Sequence, residues 1–149
     1  MTSRQTKTIV PYTANEMFDL VADVEKYPQF VPHCTALRIV KSDIADGKGQ
    51  VVADMVVSYA AFREKFRSHV TLDRQSHRIE VAYAEGPFRK LHNLWFFRDV
   101  DGGSEIDFTI DFEFRNFLLQ AAASSVFERA FVKMSDAFVD RAKVVYGAR

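Results

Sequence analysis

The chain has 149 residues, 48% of them hydrophobic and 27% charged, with twenty Lys and Arg set against twenty Asp and Glu for a formal net charge of zero. That is one ordinary domain with one substantial core, and the charge balance excludes a global field that would steer it onto nucleic acid or an anionic membrane, leaving only local patches. No apolar run reaches the roughly 18 residues of a spanning helix, and a single cysteine, Cys34, excludes an intramolecular disulfide.

The opening MTSRQTKTIVPYT has no signal-peptide hydrophobic region. The expectation is a cytoplasmic protein, residues 1–149 forming a single domain, whose contact with a membrane is peripheral. Lys7 to Tyr12 is β-tolerant and ends near Pro11, as an edge strand does. Thr13 or Asn15 can cap the next helix, with Glu16 in its first turn. Met17, Phe18, Leu20 and Val21 give that helix an apolar face as far as Ala22. Pro28 and Pro32 then allow only a short helical turn around Val24–Tyr27 and an extended exit.

From Thr35 the period becomes two. Leu37 and Ile39 alternate with Arg38 up to the Asp46-Gly47-Lys48-Gly49 hairpin signal. Val51 to Tyr59 returns. Phe62 to Leu72 follows, with Phe62, Phe66, Val70 and Leu72 on one face and Arg63, Lys65, Arg67 and His69 on the other. Asp73-Arg74-Gln75-Ser76 turns the chain into Arg78–Ala84, and Glu85-Gly86-Pro87 breaks it again. Leu91–Arg98 is a further strand, and Asp101-Gly102-Gly103 a further hairpin. Glu105–Phe114 alternates strictly: Ile106, Phe108, Ile110, Phe112 and Phe114 define a dry face, and Glu105, Asp107, Thr109, Asp111 and Glu113 a solvated one.

Asn116 to Tyr146 contains neither Gly nor Pro, so it predicts a helix of about 46 Å. Ser124–Ser125 marks either a bend or a late start. Phe127, Ala130, Phe131, Met134, Phe138, Ala142 and Val145 form its apolar stripe, opposite Arg129, Lys133, Asp136, Asp140 and Lys143. Segregated helices and hairpin-linked strands give an α+β fold with a mainly antiparallel sheet. The sheet's apolar face needs a cover, and only this helix is large enough to supply it.

Chemistry-bearing motifs are scarce. There is no glycine-rich phosphate loop, HExxH, CxxC pair or GxSxG, so no catalytic residue and no metal are expected. His33 and Cys34 are neighbours on an extended segment and point apart, leaving Cys34 as a small buried hydrophobe. His69, His77 and His92 have no partner at metal-ligand spacing. Asp23 and Glu25 flank a turn, where capping is the default. The basic row from Arg63 to His69 is a solvated face that RNA phosphates could use.

Two segments carry a resemblance. MFDLVADVEKYPQFVPHC (Met17–Cys34) resembles the signature of the coenzyme Q-binding protein family and its bacterial relatives, the ribosome-association toxin group. GPFRKLHNLWFF (Gly86–Phe97) resembles their second signature, a Gly-Pro-Phe turn followed by Leu and a Trp-x-Phe strand. Where some relatives have Trp before the cysteine, this chain has His33. The resemblance covers nearly the whole chain. It implies the START-like helix-grip fold of the polyketide cyclase/dehydrase superfamily, a seven-stranded curved sheet wrapped around a long C-terminal helix with an apolar tunnel between them.

On that basis Phe66, Trp95, Phe127, Phe131, Met134 and Phe138 are the expected tunnel wall. Tyr27, Phe30, Val31 and Pro32, beside Gly86, Pro87 and Phe88, are the expected mouth. The leading expectation is a non-catalytic carrier of ubiquinone or a quinone precursor, with no cofactor beyond that polyprenyl lipid, at the inner face of a respiratory membrane that it meets transiently. The alternative is a toxin binding the large ribosomal subunit through the basic row. A third is a polyketide cyclase-like enzyme using Asp54 or Glu64 as an interior acid or base.

Overall fold

Period-two alternation through the middle of the chain produces a single sheet with one apolar face, and that face dictates where the helices go. The computed structural model describes residues 2–59, 62–86 and 88–149; among these, the side chains of Thr2, Tyr59, Phe62, Leu119, Ala122, Ala123, Ser124, Val126, Phe127 and Ala130 are outside the description. Strand β1 (Thr2–Val10) precedes helix α1 (Ala14–Ala22) and a 3-10 turn at Val24–Gln29. Strands β2 (Cys34–Ser42), β3 (Lys48–Tyr59), β4 (Phe62–Asp73), β5 (Arg78–Glu85), β6 (Phe88–Val100) and β7 (Gly103–Phe114) follow, then helix α2 (Phe117–Tyr146). The sheet is seven-stranded, curved and antiparallel, ordered β1-β7-β6-β5-β4-β3-β2.

β1 runs from Thr2 to Val10, where the sequence predicted Lys7 to Tyr12. Its polar residues are held by partners on β7. Ser3 pairs in register with Asp111 and Gln5 with Thr109, and the Ser3 hydroxyl and Gln5 amide donate to the Asp111 and Asp107 carboxylates. Pairing of this kind overrides propensity. Tyr12 lies beyond the strand, 1% exposed, its hydroxyl donating to the Gly147 carbonyl.

The hairpin connections define two ends. β2–β3, β4–β5 and β6–β7 turn at one end, here the lower, which also holds α1. The β3–β4 and β5–β6 connections and the passage from β7 to α2 lie at the upper end. Gly103 sits where chains cross closely at the lower end, since a Cβ there would stand 1.8 Å from the Val10 carbonyl oxygen. Thr13 caps α1 in a full capping box with Glu16. The Ala14 N–H donates to Asp99, Asn15 contacts His77, and Arg74 grips Asp19, so α1 is pinned to the lower turns. Asp23, expected to cap, makes no side-chain cap bond to the 3-10 turn.

α2 is helical from Phe117 through Ser124 and Ser125 to Tyr146, with no late start. Phe131, Phe138 and Ala142 are buried and Met134 half-buried, as the stripe predicted. Val145 is 49% exposed, against expectation. Steps of four carry the buried line from Phe138 to Ala142 to Tyr146, which leaves Val145 to one side. The far end of α2 is clamped to α1: Tyr146 donates to the Glu16 carbonyl, and Arg149 forks onto the Glu16 carboxylate.

Candidate functional site

Strand register fixes which side chains face α2. From β3 these are Val51, Ala53, Met55 and Val57, opposite Val70, Ser68, Phe66 and Glu64 of β4. β5 contributes Ile79, Val81 and Tyr83, and β6 contributes Leu91, Asn93, Trp95 and Phe97, opposite Phe112, Ile110, Phe108 and Ile106 of β7. The concave face is therefore almost continuously apolar.

Burial on this face is mixed, with Phe66, Phe88, Phe112 and Phe114 buried at the upper end and Ile39 and Val81 half-buried lower down. Toward the lower end Val51, Ala53, Val70, Leu72, Ile79, Phe97 and Phe108 are all buried. Toward the upper end Leu37, Met55, Val57, Tyr83 and Leu91, and Met134 of α2, are only half-buried although they face inward. They pack against the core cluster and form the part of the apolar wall that keeps contact with solvent.

Aromatic rings divide the two halves. Phe138 of α2 stands at their boundary, 5.3 Å from Trp95, 5.5 Å from Tyr27 and 5.1 Å from Phe30. Phe131 stacks on Phe108 at 5.6 Å. Above them Phe88 stacks on Phe114 at 4.8 Å and meets Phe66 edge-on at 5.4 Å. Polar groups in this wall are few. The Trp95 indole donates to Asn93, and the Tyr83 hydroxyl accepts from the Phe88 N–H. Burial raises the Tyr83 phenol above its ordinary pKa.

Of the expected wall, Phe66, Trp95, Phe131, Met134 and Phe138 come together between α2 and the sheet, and the Phe127 side chain lies outside the described residues. The expected mouth is rearranged. Phe88 is 4% exposed and belongs to the wall. Gly86 holds the β5–β6 turn at φ +147°, against the Lys65 carbonyl and the rings of Phe66 and Tyr83, and Pro87 is outside the described residues. Tyr27 and Phe30 form a collar on Phe138. The Tyr27 hydroxyl donates to the Val21 carbonyl, burial raises its pKa, and Arg141 lies over the Phe30 ring. Val31 and Pro32 are half-buried beside the start of β2.

Met55, Val57, Tyr83, Leu91 and Asn93 were missed at the sequence level. The signal was present: Leu91 and Asn93 share parity with Trp95 and Phe97. Only the β6–β7 register, however, shows which parity faces the helix.

The convex face carries the basic row, and here β3 adds a partner. Asp54, 5% exposed, receives a bidentate bond from Arg67 (2.8 and 3.0 Å), with Lys65 at 3.4 Å and Arg38 at 3.6 Å. The Arg67 hydrogen bonds, with help from Lys65, hold its carboxyl well below the usual carboxylate range. Asp54 therefore points away from the concavity and is held ionised, which removes it as an interior acid or base. Glu64 does lie on the concave side, opposite Val57.

Cys34 is buried, its Sγ 3.8 Å from the Ala36 carbonyl, and burial pushes the thiol up to about 11. The acidic row of β7 is tied across strands, Glu105 to Arg98 and Asp107 to Gln5. No metal-binding group of three or more His, Cys, Asp or Glu occurs among the described residues. A separate cleft of about 310 Å³ lies at the lower end between α1 and the β2–β3 turn, with Phe18, Val24, Ile39 and Leu72 in its walls and the Asp19–Arg74 pair beside them. Among the described residues, no helix is long and apolar enough to cross a membrane.

Comparison with known proteins agrees with this geometry. Residues 10–139 match the family described as polyketide cyclase/dehydrase and lipid transport. The chain is 40% identical over 144 residues to the ribosome association toxin RatA of Escherichia coli K12, covering 95% of this chain and 87% of that one. It is 28% identical over 142 residues to the mitochondrial coenzyme Q-binding protein COQ10 of Drosophila melanogaster, covering 92% of this chain and 57% of the fly protein. An 18 kDa protein of Caulobacter crescentus has the same fold, with a TM-score of 0.80 and 33% identity, over 99% of this chain and all of its own. The helix-grip arrangement is the START-like one, and the chain belongs to the polyketide cyclase/dehydrase and lipid transport family.

Proposed function

We propose that the protein binds a polyprenyl quinone, or a precursor of one, between α2 and the upper half of the sheet. The observation that carries this reading is the half-burial of inward-facing Leu37, Met55, Val57, Leu91 and Met134. A polyprenyl tail offers only apolar surface, worth about 25 cal/mol for each Å² removed from water. Such a wall rewards every isoprene unit without requiring a polar partner. Ser68, Tyr83 and Asn93 are the concave-face groups able to hydrogen-bond quinone carbonyls. The name of the fly relative, a coenzyme Q-binding protein, supports the same ligand class.

Trp95 is the single tryptophan and lies in this wall, so it is a built-in reporter. Titration with vesicle-borne ubiquinone is expected to quench its emission saturably, and Leu91→Phe or Met55→Phe to weaken that binding at least tenfold. Quenching that is absent, or that the filling substitutions leave unchanged, would reject the reading.

A second reading rests on the convex face. Arg38, Lys65 and Arg67 surround one carboxylate, leaving an excess of positive charge with Arg63 nearby. The bacterial relative at 40% identity is named for ribosome association. On this reading the protein co-sediments with large ribosomal subunits. Arg38→Glu with Arg63→Glu and Lys65→Glu abolishes that, while Arg67 stays in place to neutralise Asp54. Unchanged sedimentation of the triple variant would reject it.

A further inference from the structure

Among the described side chains of α2, the most exposed apolar ones are its first two. Phe117 and Leu118 are each 80% exposed, adjacent in sequence, and placed where the chain leaves β7 at the upper end of the sheet, next to the half-covered wall. Two neighbouring large apolar side chains this exposed have no role in the core. Their setting is charged in one sense. Arg63 at the start of β4, Arg89 and Lys90 at the start of β6, and Arg115 between β7 and α2 are all exposed at this end. None of the four makes an ion pair among the described residues. Glu64, Glu85 and Glu113 share the end with them, Glu113 standing across from Lys90 in register.

The lower end is arranged the other way. Its arginines are used within the molecule: Arg74 on Asp19, Arg78 on Glu80, Arg98 on Glu105 and Arg149 on Glu16. Its turns carry Asp43, Asp46, Asp73, Asp99 and Asp101. The upper end thus gathers four exposed cations beside Phe117 and Leu118, whereas Lys41 and Lys48 of the β2–β3 hairpin stand among the five aspartates of the lower turns.

We infer that the upper end docks on an anionic phospholipid bilayer, with Phe117 and Leu118 inserted among the acyl chains and Arg63, Arg89, Lys90 and Arg115 against the headgroups. Apolar insertion and anionic attraction together are what a peripheral protein uses to bind a membrane reversibly. This placement turns the half-buried part of the wall toward the bilayer and the aspartate-rich turns away from it. A lipid passing between bilayer and concavity then crosses little water. This step rests on the cargo reading above, but the docking surface stands or falls on its own measurement.

The test is flotation of the full chain with phosphatidylcholine vesicles, with and without about a third phosphatidylglycerol, alongside Trp95 quenching by a short-tailed, water-soluble quinone. The wild type is expected to float with the anionic vesicles and to release from them as salt rises. Phe117→Ser with Leu118→Ser is expected to lose at least tenfold in partitioning, and each of Arg63→Gln, Arg89→Gln, Lys90→Gln and Arg115→Gln about fivefold. Val144→Ser with Val145→Ser, at the other end of α2 where these residues are 75% and 49% exposed, is the control and leaves flotation unchanged. Matching melting curves show that each variant is folded. Failure of the wild type to float, equal flotation on neutral and anionic vesicles, or retention on ribosomal subunits without flotation would each overturn the docking surface. Flotation without quinone quenching upholds the docking surface and rejects the cargo reading instead.

Discussion

Gly103 is the position where one added methyl group does the most damage. A Cβ would meet the Val10 carbonyl oxygen at 1.8 Å and its carbon at 2.8 Å, and both are backbone atoms of the neighbouring strand. Gly103→Ala must separate β1 from β7 at the lower end, so a loss of about 2–3 kcal/mol in urea unfolding is expected. Gly102→Ala is a contrast, with nothing within 4 Å and only its φ of +81° to oppose it, and should cost about 1 kcal/mol. Charge gives a second prediction at this scale. The Arg149 hydrogen bond, with the Thr13 N–H, lowers the Glu16 carboxyl to about 2 from its ordinary value of 4.5. Its contribution to stability is complete above pH 4.5 and disappears as pH falls toward 2. Arg149→Ala should therefore flatten the acid limb of a stability–pH curve between those values, lowering stability modestly at pH 7, since the pair is partly exposed, and leaving it unchanged near pH 2.

Elements differ in how clearly their own sequence announces them. β7 was legible apart from its first two residues, because strict alternation from Glu105 to Phe114 leaves only one face to bury, and the observed burial alternates without a fault from Gly103 on. The start of β1 was not, because Ser3 and Gln5 acquire strand character only from Asp111 and Asp107 of β7. In α2 the stripe was legible and its phase at the end was not, since Val145 and Tyr146 are separated by which of them meets α1. The site shows the same division. Trp95, Phe131 and Phe138 were recoverable from periodicity together with the resemblance, but the inward parity of Leu91 and Asn93 and the outward aim of Asp54 depend on register between strands. Phe138 joins the elements: 1% exposed, it touches Tyr27, Phe30 and Trp95. Phe138→Ala is expected to cost about 3–5 kcal/mol in chemical unfolding, and a loss below 1 kcal/mol would show that the collar does not depend on it.

At the scale of the whole molecule the two halves are built differently. In the lower half α1, the end of α2 and the sheet close on one another, with the cleft of about 310 Å³ beside α1. The upper half carries the half-buried part of the apolar wall beside buried Phe66, Phe88, Phe112 and Phe114. A filled interior resists extra atoms, and overpacking there costs about 1–3 kcal/mol. On the cargo reading Met55→Phe and Leu91→Phe should instead leave stability within about 1 kcal/mol of the wild type, because the added carbons enter the space proposed for the lipid. Urea midpoints of these two variants, beside Val70→Phe in the lower half as the costly comparison, measure the difference. The family is the polyketide cyclase/dehydrase and lipid transport one and the fold is START-like; on the cargo reading, space in the upper half is what lets the fold act as a container.

Direct identification of the occupant tests that claim most sharply. Protein purified without detergent from a quinone-producing host is extracted into organic solvent and the extract analysed by mass spectrometry against a blank purification. The account predicts a polyprenyl quinone or its precursor, recovered in a fixed ratio to protein and lost in Leu91→Phe. An extract equal to the blank, from protein that also takes up no quinone from vesicles, would contradict it.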